Sequence, residues 1–380
     1  MIYLDNNAST KVDPEVRVAL DRAADLFGNP SSIHAEGRKA RRAIEEAREE
    51  VALLVGARAE EIFFTSGGTE SNACAILGTA PDPPRKIVRT GAEHASVAEA
   101  FRRLVQQGDA EGVVDPEPSG ALDSGKVAAA LAGGARLVSV MLANNEYGGV
   151  YPVSPIVALA RAAGAVCHTD AVQAAGRISV DVRELGVDLL SLSAHKMHGP
   201  KGVGALFVRR GVALRPHTPG GGQERRMRGG TENTVGIVGM GAAARLARAR
   251  LAADAAAVMR LRDRLERAVL QQTPDAHVVG GGAARLPNTS AILFEGVSGD
   301  ALAIRLDLEG VAVSVGSACS SGSPAPSAAL LAMGMSRSQA RRVVRLSLSR
   351  WTTEAEVDEA AGKIAAAVKA MREATAPAVA

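Results

Sequence analysis

The sequence has few cysteines, few aromatic residues and no surplus of charge of either sign. Its 380 residues include three cysteines, an odd number that does not fit a secreted disulfide scaffold. Aromatic residues make up 3%, and 44 basic residues are balanced by 41 acidic ones, for a net charge of +3. Surfaces that bind nucleic acids are usually basic and interleaved with aromatic residues, so we expect no nucleic-acid partner.

Long apolar runs are also missing. No window reaches the roughly 18 uncharged apolar residues of a membrane-spanning helix, and the longest candidate, residues 234–244, stops at Arg245. The first seven residues, MIYLDNN, have neither the basic nor the apolar region of a signal peptide. With 47% apolar and 22% charged residues, the composition is typical of a globular protein. We therefore expect a cytoplasmic protein that does not contact a membrane.

Between about residues 60 and 210, short β-branched segments alternate with helical ones. Strands are predicted at 61–65, 86–90, 135–142, 165–169, 189–193 and 205–208. Helices are predicted at 69–77, 97–107 and 155–163. This alternation indicates an α/β fold with a mostly parallel sheet that is covered on both faces. Ligands of such sheets bind at the carboxyl ends of the strands.

The rest of the chain follows another pattern. Residues 235–271 have the periodicity of one or two long helices, and we expect a break near 252–254. Beyond it, strands are predicted at 291–294, 311–315 and 343–348, and helices at 299–308 and from 354 onward. We therefore predict a large domain, residues 13–255, and a smaller α+β domain formed by residues 1–12 with 256–380.

The common catalytic and metal-binding motifs are missing. The sequence contains no Walker loop, no His-Glu-x-x-His, no Cys-x-x-Cys and no Gly-x-Ser-x-Gly. A metal-binding protein could use Cys167-His168 with His195 and His198, but these residues do not form a four-ligand set with suitable spacing. We expect no resident metal ion.

Lys196 is the leading candidate for covalent chemistry among only eight lysines. It follows a buried apolar strand and precedes a Gly-Pro-Lys-Gly bend, where an enzyme could hold an amine that forms a Schiff base. Lys201 has similar surroundings but lies inside the bend. Most lysines are solvated surface charges, which is the alternative for both.

Two further clusters follow predicted strands. Gly68 and Thr69 open a helix whose N-terminus could bind a phosphate, although a simple N-cap is an equal alternative. Asp170 ends a strand, and Gln173 follows three residues later. The aspartate could pair with a buried cation or merely cap a helix.

Cys319 differs from the other two cysteines. Cys74 lies in an apolar helical segment and Cys167 within a strand, so both are predicted to be buried. Cys319 lies among serines and glycines, where we expect an accessible, mobile loop with a reactive thiol. Arg345 could bind a carboxylate with two hydrogen bonds or be an ordinary surface arginine.

In this order, these motifs resemble the group I cysteine desulfurases of the NifS/IscS type, in the class V family of pyridoxal-phosphate-dependent aminotransferases. The resemblance covers nearly the whole chain. It also includes the segments YLDNNAST (3–10), FGNPSS (27–32), EH (93–94), ANNE (143–146) and RGGTEN (228–233). It implies fold type I of the pyridoxal-phosphate-dependent transferases, with a mostly parallel seven-stranded sheet in the large domain. It also implies removal of sulfur from L-cysteine to give L-alanine and a persulfide on Cys319.

The resemblance further implies a role for each site residue. Lys196 would bind pyridoxal phosphate covalently and remove the Cα proton of the substrate. Asp170 would pair with the pyridine nitrogen and Gln173 with the ring hydroxyl. His94 would stack on the ring, help move protons, and take the proton of the Cys319 thiol.

The remaining residues would hold the phosphate and the substrate. The predicted phosphate ligands are Gly68, Thr69, Ser193, His195 and, from the second subunit of a homodimer, Thr231. Asn145 would contact both cofactor and substrate, and Arg345 would take the substrate carboxylate.

The persulfide would pass to a scaffold or sulfur-acceptor protein, for iron–sulfur cluster assembly or related sulfur delivery, and Cys319 could transiently ligate such a cluster. The alternatives are a class V aminotransferase, which needs no cysteine at this position, a selenocysteine lyase, or a sulfur-transfer scaffold without catalysis. Four residues depart from the family pattern without removing a catalytic group: Tyr147, Val315, Ala325 and Arg341.

Overall fold

The computed structural model describes residues 1–79, 85–315 and 325–375. Over these ranges the chain is α/β, as the alternating pattern predicts. No helix in the described ranges is long and apolar enough to span a membrane.

The strands are, in chain order, β1 (Ile2–Tyr3), β2 (Ile62–Thr65), β3 (Lys86–Thr90), β4 (Ala110–Val114), β5 (Leu137–Ser139), β6 (Val166–Asp170), β7 (Leu189–Ser193), β8 (Gly204–Val208), β9 (Ala276–Val278), β10 (Thr289–Phe294), β11 (Val311–Ala312), β12 (Ser314–Val315) and β13 (Val343–Ser347). The helices are α1 (Pro14–Ala24), α2 (Ala35–Leu54), α3 (Gly68–Gly78), α4 (Ala95–Gln106), α5 (Ser124–Leu131), α6 (Val153–Ala162), α7 (Val182–Leu185), α8 (Thr234–Gln272), α9 (Gly299–Leu308), α10 (Ala328–Ala332), α11 (Arg337–Ala340) and α12 (Glu354–Thr375).

The larger sheet has seven strands in the part of the chain that the structure describes, in the order β2-β8-β7-β6-β5-β3-β4. β8 runs antiparallel to both of its neighbours, and the other pairs are parallel, which confirms the mostly parallel sheet. Gly204 on β8 pairs with Thr65 on one side and Ser193 on the other. The carboxyl ends of β2 and β7 therefore lie at the same edge, close to that of β6.

A smaller antiparallel sheet has the order β12-β13-β10-β9, and β1 pairs with β11 in parallel. The prediction of a single strand at 311–315 is wrong, because this segment forms two short strands that pair with different neighbours. β11 pairs with β1, whereas β12 pairs with β13.

Helix α8 is continuous over 39 residues, so the break expected near 252–254 is also wrong. Residues 242–272 contain neither glycine nor proline and are rich in alanine, leucine and arginine, which favour helix. The helix packs against α1, α2 and α12. The domain division into residues 13–255 and 1–12 with 256–380 stays a prediction, and its boundary would lie inside this helix.

The N-terminal residues pack with the C-terminal part of the chain. Ile2 and Leu4 share an apolar cluster with Leu265, Phe294 and Leu346. This packing brings the following residues, Asp5 to Ser9, to the edge of the large sheet, where they contact the loops after β6 and β7.

Candidate active site

A cavity of about 290 Å³ lies at the carboxyl ends of β6 and β7 and the N-terminus of α3. It brings together nine of the residues predicted from the sequence, namely Gly68, Thr69, His94, Asn145, Asp170, Gln173, Ser193, His195 and Lys196. The other wall residues are Asn7, Ala8, Asn72, Met141 and Val172. Residues that are far apart in the sequence thus share one cavity because parallel strands end at the same edge.

Lys196 reaches this cavity from a single turn of 3₁₀-helix, Ala194–Lys196, that directly follows β7. Its Nζ donates hydrogen bonds to the carbonyl oxygens of Asn7 and, at 2.8 Å, Ala8. These two carbonyl oxygens hold the Lys196 amine in place.

His195 lies beside Lys196 in the same turn. Burial, together with the positive charges of Lys196, Lys201 and Arg177, lowers the pKa of His195 to about 4. The imidazole of His195 is therefore neutral at physiological pH. It can donate a hydrogen bond to an anion but adds no positive charge.

Asp170 is the last residue of β6 and is 5% exposed. Its Oδ2 accepts a hydrogen bond from Asn72 Nδ2 at 2.7 Å, and its Oδ1 accepts one from the Val172 N–H at 2.9 Å. These donors fix the orientation of the carboxylate at the cavity wall.

Gln173 is held on both sides of its amide. Its Nε2 donates to Asn7 O at 3.0 Å, and its Oε1 accepts from Arg177. Arg177 also donates to Asn6 O at 3.0 Å and has no carboxylate partner among the described salt bridges. Burial and the nearby charge of Arg345 lower the pKa of Arg177 to about 9.

The N-terminus of α3 is shaped to receive an anion. Gly67 caps the helix with φ 153° and ψ −175°, a conformation that essentially only glycine adopts, and has no side chain to accept from the first-turn amides. A Cβ at Gly68 would lie 2.9 Å from the Val172 side chain. The free amides at this end, with the side chains of Thr69, Ser193 and His195, suit a phosphate.

Arg345 does not line the cavity but lies behind Asn145 and is 2% exposed. Its Nη1 donates to Asn145 O at 3.0 Å, and its Nη2 pairs with Asp5 Oδ1 at 2.7 Å. Its Nε is buried and has no hydrogen-bond partner among the described residues, whereas a substrate carboxylate at Nη1 or Nη2 would compete with Asn145 O or Asp5.

Thr231, another predicted site residue, does not line the cavity. Thr231 is exposed. Cys319 lies outside the described residues. The remaining cysteines confirm the prediction for them, because both Cys74 and Cys167 are buried. Burial raises the pKa of the Cys74 thiol to about 12 and that of Cys167 still further, so neither is a thiolate near neutral pH.

A second cavity, of about 500 Å³, shares His94 and Asn145 with the first. Its wall contains two buried carboxyl groups, of Glu93 and Glu146, that sequence reasoning did not single out for the site. Burial raises the pKa of Glu93 to about 8 and that of Glu146 to about 7. Both groups therefore exchange protons close to neutral pH.

Sequence reasoning also missed the polar residues that form hydrogen bonds with the predicted site residues. Asn7 is the most connected of them: its Nδ2 donates to Asn145 O at 3.0 Å and to Thr289 Oγ1 at 2.9 Å. Its carbonyl accepts from Lys196 and Gln173. The only signal was the resemblance of residues 3–10 to the family, which assigned them no role.

Among the described residues, no group of three or more His, Cys, Asp or Glu side chains is arranged to hold a metal ion.

The comparisons with known proteins agree with one another. The family described as "Aminotransferase class-V" matches residues 2–360. A cysteine desulfurase of Cereibacter sphaeroides is 48% identical over 365 residues, which are 94% of this chain and 93% of the relative.

Solved structures give the same result. A "NifS-like protein" superposes with a TM-score of 0.90 at 35% identity, covering 97% of this chain and 99% of the other. A protein named SspA, solved in complex with cysteine, superposes with a TM-score of 0.82 at 34% identity, covering 93% and 100%. The chain therefore belongs to the class V aminotransferase family and, within it, to the cysteine desulfurases, which have fold type I.

Proposed function

We propose that this protein removes sulfur from L-cysteine with the help of pyridoxal phosphate, giving L-alanine and a persulfide on Cys319. The family supports the reaction, and the relative solved with cysteine supports the substrate. The observation that carries the proposal is that Lys196, Asp170 and the glycine-lined N-terminus of α3 open into one cavity.

The cavity fits pyridoxal phosphate at each of its functional groups. The amides at Gly68 and Thr69, with Ser193 and His195, would hold the phosphate, and Lys196 would hold the aldehyde carbon. Asp170, fixed by Asn72, would keep the pyridine nitrogen protonated, and Gln173 would contact the ring hydroxyl. When bound, the cofactor supplies a conjugated ring that withdraws electrons from the substrate Cα.

Lys196 would act twice in this cavity. Its Nζ would first hold the cofactor and, once the substrate amine has replaced it, would remove the Cα proton. The carbonyls of Asn7 and Ala8 are positioned to keep the released amine inside the cavity. Asn145 would orient the substrate, and Arg345 would take its carboxylate after exchanging the contact with Asp5.

The thiolate of Cys319 would attack the substrate sulfur. An S–S bond forms as the C–S bond breaks, and the carbon receives protons, so that L-cysteine and the Cys319 thiol become L-alanine and a Cys319 persulfide. Ser314 is paired with Arg345, and Ala325 lines the second cavity, whose wall also contains His94 and Asn145. Cys319 is four residues from Val315 and six from Ala325.

The same proposal covers the partners. The protein would form a homodimer in which Thr231 of one subunit completes the phosphate site of the other. The persulfide would pass to a scaffold or acceptor protein, as in iron–sulfur cluster assembly, in the cytoplasm.

Anaerobic turnover of L-cysteine by the holoenzyme tests the reaction. Alanine and sulfide, measured together in the presence of a reductant, should form in equal amounts. Lys196→Ala should abolish both, whereas Cys319→Ala should abolish both and keep the visible absorbance of lysine-bound cofactor. Lys126→Ala is the matched control, because Lys126 is exposed and does not line the cavity.

Another result would overturn the proposal. If alanine or a keto acid forms without sulfide, and Cys319→Ala leaves its rate unchanged, the protein is an aminotransferase-type enzyme. A selenocysteine lyase would turn over L-selenocysteine and leave L-cysteine unchanged.

A further inference from the structure

We propose that Ser96 is a positioning residue that holds His94 as a neutral imidazole with its proton on Nε2. In that form His94 donates a hydrogen bond into the cavity and does not act as a base. This inference deepens the proposed function and rests on it, since the hydrogen-bond acceptor would be a sulfur anion of the reaction.

The argument begins with Nδ1 of His94. His94 is the N-cap of α4, and its Nδ1 lies 3.1 Å from the backbone nitrogen of Ser96. A backbone N–H can only donate, so this contact favours an Nδ1 that accepts and carries no proton. A neutral imidazole that accepts at Nδ1 carries its proton on Nε2.

The Ser96 hydroxyl strengthens this arrangement. Its Oγ lies 2.7 Å from the same Nδ1, so the hydroxyl must also donate to it. Asn72 Nδ2 in turn donates to Ser96 Oγ at 2.9 Å and to Asp170 Oδ2 at 2.7 Å. The reverse orientation of the Asn72 amide would place its oxygen against the Asp170 carboxylate. Every donor in this series of hydrogen bonds therefore points from Asn72 through Ser96 to His94.

This series of hydrogen bonds joins two groups with separate roles in the proposed function. Asn72 holds the carboxylate assigned to the pyridine nitrogen, and through Ser96 it also sets the tautomer of the imidazole assigned to the cofactor ring. The N-terminus of α4 acts in the same direction, because its positive end disfavours an imidazolium at the N-cap.

Other charges also act on the imidazole. Glu146 and His94 line the second cavity together and interact electrostatically, Glu93 precedes His94 in the chain, and Lys196 shares the first cavity with it. Near neutral pH Glu93 is mostly protonated and Glu146 about half protonated, so the two carboxyl groups oppose the helix terminus only weakly there.

The tautomer decides what His94 can do. An Nε2 that already carries a proton cannot take the proton of the Cys319 thiol, which is the role implied by the family resemblance. It can donate a hydrogen bond to a thiolate, either of Cys319 or of the substrate, and so favour the charged sulfur.

Nitrogen NMR of the holoenzyme with ¹⁵N-labelled histidine tests the inference without measuring turnover. The chain has seven histidines, and the His94 signals are those that disappear in His94→Gln. In the native enzyme, we expect Nε2 of His94 to be protonated and Nδ1 to be unprotonated. Ser96→Ala should lower the Nε2–H population, and Ser96→Thr, which keeps the hydroxyl, should restore it.

Kinetics supply the second measurement. Ser96→Ala should slow persulfide formation by about 3- to 10-fold, the loss expected from one hydrogen bond, and Ser96→Thr should recover the native rate. Ser154→Ala is the matched control, because its exposed hydroxyl only donates to Glu184 O. An Nδ1–H tautomer in the native enzyme would overturn the inference, as would a native tautomer in Ser96→Ala. If the tautomers are as expected but L-cysteine is not consumed, the proposed function fails and the positioning by Ser96 stands.

Discussion

Single buried charges make both the stability and the chemistry of this site sensitive to pH. Burial raises the pKa of Glu93 from 4.5 to about 8, although its Oε1 accepts from Thr90 Oγ1 at 2.7 Å and from Met141 N at 2.8 Å. Between these pH values the folded chain holds a proton that the unfolded chain releases. The stability that Glu93 contributes is thus fully present below about pH 4.5 and is lost as the pH rises through about 8.

We therefore predict that Glu93→Gln flattens the pH dependence of stability. The glutamine keeps an oxygen for both donors but cannot ionise, so the free energy of unfolding should fall less between pH 4.5 and 8 than in the native chain. Urea unfolding at a series of pH values measures this. The control Glu46→Gln, at an exposed position of α2, should follow the native curve. Parallel curves for Glu93→Gln and the native chain would contradict the assignment.

The pair formed by Arg345 and Asp5 tests the predicted substrate contact. If Arg345 binds the substrate carboxylate, Arg345→Gln should raise KM for L-cysteine by about 10- to 100-fold. This is the loss of affinity expected when a hydrogen bond to a charged group is removed. Asp5→Asn removes the competing carboxylate, so it should lower KM or leave it unchanged. Steady-state kinetics of both variants decide the matter. An Arg345→Gln enzyme with lower stability but native KM would give Arg345 a structural role only.

At the scale of single elements, the N-terminus of α3 is the part most sensitive to added atoms. A Cβ at Gly68 would lie 2.9 Å from Val172 and 3.6 Å from the Ser193 Cβ, at the predicted phosphate site. Gly68→Ala should therefore weaken binding of pyridoxal phosphate by tenfold or more, as measured by titration of the apoenzyme.

The matched control for Gly68→Ala is Gly362→Ala. Gly362 lies in α12 with no atom within 4 Å of an added Cβ, so alanine there should stabilise the helix by about 0.5–1 kcal/mol and leave cofactor binding unchanged. Native affinity in Gly68→Ala would show that the phosphate lies elsewhere.

The long helix α8 gives a second test at this scale. Because the helix is continuous through Ala252, proline at that position should cost about 3 kcal/mol of stability or more. Urea unfolding of Ala252→Pro measures the loss, with Ala252→Gly, expected to cost about 1 kcal/mol, as the milder comparison. A break at this place, as the sequence suggested, would instead tolerate proline.

Elements were predictable from the sequence where local pattern decides them, and not where partners do. The helix Gly299–Leu308 has the predicted ends, because Ser298 caps it and Leu302 and Leu306 lie one turn apart on its buried side. Residues 311–315 look like one strand locally, and only the pairing with β1 and β13 divides them. The break expected near 252–254 does not form, and Asp254 in that segment pairs with Arg350 at 3.3 Å.

Across the whole molecule, the first residues of the chain connect the two sheets to the site. Asn7 bonds to Asn145 and Lys196 on the side of the large sheet and to Thr289 and Asn288 on the side of the small one. The cavity residues that carry functional groups were predictable, because they follow strands and match family motifs. Asn7, Asn72 and Ser96 were not, because their roles depend on contacts that join distant segments.

The most direct test of the account follows a single turnover to its product on the protein. Native holoenzyme, treated anaerobically with one equivalent of L-cysteine and then digested, is analysed by mass spectrometry for the peptide that contains Cys319. The account predicts a peptide heavier by one sulfur atom and one L-alanine released per site, with neither product in Lys196→Ala. Release of alanine while Cys319 stays unmodified, or sulfur bound to another cysteine, would contradict it.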